Sequence, residues 1–229
     1  MWGYDELQKT IFDFAYGAAL GDATGQKAFE GKKKPLRHNE KAKDIAREYI
    51  DGIIGGETPD FFKITEALEK SFEDYIKNNI DDIKYETKDG KQPEPVFRFG
   101  NAQKLINMLA KNMFLLVYQD ESLREKFKQC HCPMDNVMID TVKRELDQMG
   151  DEEAKHLLAE YKKSEKAAWS RIERGKFEQY ENFQKCVRYL ASKENLSPIE
   201  YDYKMWEKAF NKSENKEGSR FINVKREEF

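Results

Sequence analysis

Lys104, Asn107 and Lys111 recur at positions i, i+3 and i+7, a spacing that stacks them in one narrow stripe along a helix. Leu105, Ile106, Leu109, Met113, Leu116 and Val117 cover a broad apolar arc of the same segment. The spacing therefore predicts a largely buried helix over 100–118. An ammonium in that setting is costly unless it is paired or faces a cleft. A partner is available downstream, in Cys130-His131-Cys132-Pro133-Met134-Asp135. Pro133 suits a first helical turn, and Asp135 sits where the positive end of the helix dipole favours a carboxylate. Asp135 also shares a face with Ile139, Val142 and Leu146, so it points toward the core. Lys104 and Asp135 are expected to meet in an interhelical cleft, with Gln103, Asn107, Lys111, His131, Gly100 and Phe99 lining it. A desolvated lysine is a competent amine nucleophile, and a carboxylate beside it stabilises positive charge or accepts a proton. The same residues would equally make a satisfied polar network that fixes helix register.

The elements that must position these groups are helical. Charged residues make up 36% of the 229-residue chain and apolar ones 39%, yet 13% are aromatic, too many for a disordered polymer. Few β-branched runs and six prolines favour an all-α fold of seven to nine helices. One globular unit over residues 1–212 is expected, with a candidate lobe boundary at 78–98 and a polar tail at 213–229. Expected helices cover residues 4–23, 39–50 and 58–77, then 100–118, 120–129, 134–149, 151–175 and 176–192, with a last one from the capping box Ser197-Pro198-Ile199-Glu200. On the first of these, Leu7, Ile11, Phe14, Ala15, Ala18 and Ala19 make the expected buried face. Gly17, Gly21 and Gly25, at spacing four, would let another helix approach.

A net charge of −3 gives no general attraction to nucleic acid. DNA contact would need a local patch, for which Lys32, Lys33, Lys34 and Arg37 are the candidates. No apolar run reaches the length of a membrane span, and three cysteines do not make a disulfide framework, so a reduced, cytoplasmic chain is expected. Cys130, His131 and Cys132, with Cys186 and His156, could hold a soft metal. The cysteine spacing lacks the second close pair of a zinc site, so a structural loop is the reading adopted, with no metal and no cofactor.

Gly100-x-x-x-Lys104 opening a helix, followed by Pro133-Met134-Asp135-Asn136-Val137 and Arg144-Glu145-Leu146, resembles the core of the helix-hairpin-helix DNA glycosylases. In that superfamily a hairpin glycine precedes the lysine helix and a Val-Asp-x-x-Val run carries the aspartate. The interval of 31 residues between Lys104 and Asp135 is more like the archaeal oxoguanine glycosylases, whose lysine helix has a second lysine seven residues on, as Lys111 is here. Phe97-Arg98-Phe99-Gly100 stands where the family has Leu-Pro-Gly-x-Gly. The resemblance implies a DNA glycosylase or abasic-site lyase, with Lys104 attacking a sugar C1′ to form a Schiff base as the base leaves. The base would first leave the stack for a pocket walled by Phe97, Phe99, Tyr118 or Trp206.

Two further resemblances are local. Gly17-Ala18-Ala19-Leu20-Gly21-Asp22-Ala23-Thr24-Gly25 is similar to the opening of the ADP-ribosylglycohydrolases, without their Thr-Asp-Asp-Thr motif. Arg124, six residues and His131 resemble the arginine–histidine motif of HEPN-type ribonucleases, with Glu125 where the family favours an amide, aspartate or histidine and Pro133 interrupting the helix that should carry the motif. The alternative function is accordingly a HEPN-like ribonuclease or a non-catalytic helical interaction protein of the phage- or defence-related kind.

Overall fold

The computed structural model describes residues 4–25, 36–83 and 96–214, all-α throughout. Lys32, Lys33 and Lys34 lie outside the described residues, as do most of the candidate lobe boundary and the tail from 215. The helices are α1 (Tyr4–Thr24), α2 (Glu40–Gly55), α3 (Phe61–Asn78), the single turn α4 (Ile80–Ile83), α5 (Phe99–Leu116), α6 (Glu121–Phe127), α7 (Asn136–Met149), α8 (Glu152–Ser164), α9 (Glu178–Lys193) and α10 (Pro198–Glu214). One buried apolar cluster runs from Phe12 on α1 to Met205 on α10. No helix among the described residues is long and apolar enough to cross a membrane.

The central element is α5. It packs along α1 and also touches α3 and α6. Alanines make the close packing: Ala15, Ala19 and Ala23 of α1 and Ala102 and Ala110 of α5 are fully or almost fully buried. Two asparagines of α5 fix the register, Asn101 Nδ2 donating to the Ala23 carbonyl (2.8 Å) and Asn112 Nδ2 to the Ala15 carbonyl (3.2 Å). The buried stripe of α1 is Phe12, Ala15, Tyr16, Ala19, Leu20 and Ala23. The expected face is therefore rotated. Phe14 is 75% exposed and Ala18 is also outside, because α5 takes the alanine side. Gly17 faces open space rather than a second helix.

Capping explains most boundaries. Asn39, Asp60, Asp120, Asp135 and Asp151 each accept a backbone N–H of the helix they precede, satisfying a donor that has no intrahelical partner. Helix α3 thus starts after Asp60, not at Thr58, and α7 starts at Asn136, with Pro133 ahead of it rather than in its first turn. Helix α2 runs past residue 50, its expected end, through Gly52 to a cap at Gly56 with φ +86°. Gly52 is small for another reason: a Cβ there would lie 2.9 Å from Pro59 Cγ. Helix α8 ends at Ser164, eleven residues short of Gly175. Gln179 on α9 holds the segment beyond it as a loop, accepting from Lys166 and Ala167 N–H (3.3 and 3.4 Å) and donating to the Ala167 carbonyl (2.8 Å). Leu116, expected in the apolar arc of α5, is 51% exposed because the helix ends there. The capping box at Ser197 forms as expected, Glu200 accepting the Ser197 N–H at 2.9 Å.

Candidate functional site

The side chains of Lys104 and Asp135 meet, with Nζ 2.9 Å from Oδ2. Their geometry follows from two helix positions. Lys104 is in the second turn of α5, and Asp135 is the N-cap of α7, its Oδ1 accepting the Met138 N–H at 2.9 Å. One carboxylate thus caps a helix with one oxygen and pairs with an amine through the other. The lysine side chain is 13% exposed and the aspartate 7%, so the pair sits just under the surface. The indole of Trp169 covers the ammonium, its centroid 5.1 Å from Nζ, within cation–π range.

Gln103 and Asn107 are fully buried and act below this rim. The 128–135 segment has no secondary structure of its own, so its backbone polar groups need partners. Two glutamines supply them. Gln103 donates to the Met134 carbonyl (3.0 Å) and accepts the Met134 N–H (3.2 Å). Gln184 on α9 donates to the Cys132 carbonyl (2.7 Å) and accepts the Cys132 N–H (3.2 Å). Asn107 Nδ2 donates to Gln103 Oε1 (3.2 Å) and to Tyr180 Oη (2.9 Å). Both amides therefore hold the loop that delivers Asp135, and neither reaches a solvent-facing wall.

His131 continues the chain of contacts. Its Nδ1 lies 2.9 Å from Tyr180 Oη and its Nε2 2.8 Å from the Arg188 guanidinium. A guanidinium has no acceptor, so Arg188 donates to Nε2 and the ring proton sits on Nδ1. Burial, and then the Arg188 charge, push the imidazole down from 6.5 to about 3. The arginine beside His131 is Arg188, not Arg124; Arg124 reaches the Tyr118 carbonyl and Glu121.

Lys111 makes a second pair, with Asp202 on α10, deeper than the first: the aspartate side chain is 0% exposed. Tyr203 and Trp206 flank that ammonium at 4.7 and 5.4 Å. Burial drives the Asp202 carboxyl up to about 6 against the opposing pull of Lys111. Phe99 lies in an aromatic cluster with Phe62, Phe177 and Tyr180, and Gly100 packs against the loop after α8, its N–H donating to the Ile172 carbonyl (3.2 Å). Of the expected aromatic walls, Phe97 and Phe99 are sealed in the core, while Tyr118 and Trp206 are exposed, the first beside Arg124 and the second beside Lys111. Burial raises all three thiols, Cys130 and Cys186 to about 12. Among the described residues no three His, Cys, Asp or Glu side chains gather as metal ligands.

Lys104, Asp135 and their amide supports were therefore legible in the sequence as one neighbourhood. Trp169, Asp202, Gln184, Tyr180 and Arg188 were not, since each arrives from a helix or loop with no spacing relation to α5. No family model, curated protein or solved structure matches the chain.

Proposed function

We propose that the protein is a DNA glycosylase or abasic-site lyase in which Lys104 is the nucleophile and Asp135 its electrostatic and acid–base partner. The supporting observation is the 2.9 Å approach of Lys104 Nζ to a helix-capping carboxylate while the amine keeps contact with solvent. The Lys111–Asp202 pair has the same groups but is the more enclosed, its side chains 8% and 0% exposed, so the chemistry is assigned to the outer pair. In the proposed reaction, Lys104 loses a proton to Asp135 or water, and its lone pair attacks C1′. For an intact nucleotide the C1′–N bond breaks and the base leaves with the bonding pair, taking up a proton. Opening of the sugar ring gives an iminium between Nζ and C1′; loss of a C2′ proton expels the 3′ phosphate, and water then hydrolyses the imine and frees the lysine. Asp135 stabilises the cationic stages. Arg37, with Lys32, Lys33 and Lys34, is assigned to the DNA backbone.

Borohydride reduction in the presence of an abasic-site oligonucleotide tests this directly. A covalent adduct mapped to Lys104, absent in Lys104→Ala and diminished in Asp135→Asn, is expected. No adduct with the folded wild-type protein, on either abasic or base-damaged duplex, overturns the proposal.

A further inference from the structure

The loop between α8 and α9 approaches the first turn of α5, beside the proposed site, at backbone-contact distance. A Cβ on Gly100 would stand 1.9 Å from the Trp169 carbonyl oxygen and 2.9 Å from Ser170 Cα, so only glycine at the first turn of α5 admits this loop. Ile172, 3% exposed, anchors its far side, and Gln179 clamps its near side through Lys166 and Ala167. Held at both ends, the loop presents Trp169, partly exposed, with its ring over Lys104 Nζ. Lys166 and Arg171 flank it, and both are exposed. The acids nearest in sequence are already engaged, Glu165 by Lys143 and Glu173 by Lys176. Neither Lys166 nor Arg171 has a carboxylate partner among the described residues.

We propose that residues 165–177 form a strand-binding loop in which Trp169 stacks on an unpaired nucleobase and Lys166 and Arg171 take phosphates of the same strand. The inference rests on the nucleic-acid reading above and gives its site the binding element that the sequence did not show. A held, partly exposed indole with unpaired cations three residues before it and two after it matches the two needs of a single strand, a surface for bases and charge for the backbone. Stacking tolerates any base, so the loop holds the strand and positions C1′ near the amine without specifying sequence.

Anisotropy with a labelled thymidine oligonucleotide of about fifteen residues, a length spanned by such sites, reads the loop separately from the chemistry. Wild-type protein binds it, more weakly as salt rises. Trp169→Ala weakens binding roughly tenfold or more, the loss expected for one stacked base, and Trp169→Phe recovers much of it. The Lys166→Ala/Arg171→Ala double variant lowers the salt slope by about 1.4, two phosphates' worth on a single strand. Gly100→Ala, which displaces the loop while deleting no contact group, behaves like Trp169→Ala. Borohydride trapping on the same proteins separates the two proposals. Wild type that traps, with Trp169 and Lys166/Arg171 variants binding as it does, overturns the loop and leaves the lyase. Binding that depends on Trp169 without trapping overturns the lyase and retains the loop. No binding by wild type overturns the loop.

Discussion

Acidification should weaken the fold through His131, by an amount that the geometry sets. The imidazole is held neutral at about 3 by burial and by Arg188, whereas the unfolded chain titrates it near 6.5. Below 6.5 the unfolded state takes up a proton that the folded state refuses. The stability contributed by the neutral ring is therefore complete above 6.5 and is lost as the pH falls toward 3. The slope is about 1.4 kcal/mol per pH unit, so between pH 6.5 and 4 this one residue costs the fold about 3 kcal/mol. Asp202 acts oppositely. Its folded value of about 6 means that its protonated form favours the fold at low pH, an advantage lost as the pH rises through 6. The two contributions offset one another at intermediate pH, so the wild-type profile alone conceals both. Comparison with His131→Gln isolates the first. The variant is less stable near neutrality, having lost the bond to Arg188 or to Tyr180, but carries no titrating ring. Urea unfolding followed by circular dichroism at about pH 7, 5.5 and 4 should show the gap between the two proteins closing by about 3 kcal/mol. A gap that stays constant refutes the reasoning: the ring would then titrate equally in both states.

Lys111→Met strands the Asp202 carboxylate and should cost about 3–5 kcal/mol near neutral pH, while Lys111→Met with Asp202→Leu recovers most of it; thermal melts of the double-mutant cycle check this, and additive losses refute it. Asp135→Asn keeps a side chain that caps α7, so it should lose about 1 kcal/mol less than Asp135→Ala, measured by denaturant midpoints. Gly150 ends α7 at φ +66°, and Gly150→Ala should cost about 1 kcal/mol through that left-handed backbone alone, readable as a lowered Tm.

Periodicity located α3 and α9 because each buries one face against its partners, and α5 because its apolar arc is broad enough for a helix buried on most sides. It misjudged α1, where Phe14 and Ala18 were expected in the buried face and Phe12, Tyr16, Leu20 and Ala23 take that place. Small residues win the interface there because α5 approaches closely enough to exclude a ring. The overextended α8 failed for a different reason. The residues from Lys166 to Gly175 carry helix-compatible pattern, but Gln179 takes the loop's amides from another helix, and no local rule contains that bond. The Lys104–Asp135 meeting was legible because both partners announce themselves locally, one by its stripe and one by its capping position. Asp202 was not, since inside Tyr201-Asp202-Tyr203 it has no local sign that Lys111 lies opposite.

The three polar residues of the α5 stripe illustrate what decides their roles. They share one stripe in sequence, yet three different elements cross the helix along its length. The α7 N-terminus and the Trp169 loop meet Lys104, the 128–135 segment and Tyr180 meet Asn107, and α10 meets Lys111. The amide becomes a clamp because a loop without secondary structure must have its backbone bonded. The inner lysine becomes ballast, since its carboxylate is sealed at 0% exposure and any displacement would leave a bare charge in hydrocarbon. Of the two stripe lysines, Lys104 is the one whose carboxylate partner a helix amide also stabilises. If the amine swings toward a substrate, Asp135 keeps the Met138 N–H and the α7 dipole as compensation. Release of that lysine therefore costs less than release of Lys111. This difference in the cost of uncoupling, rather than the presence of a lysine, is why the proposed chemistry is placed on the outer pair.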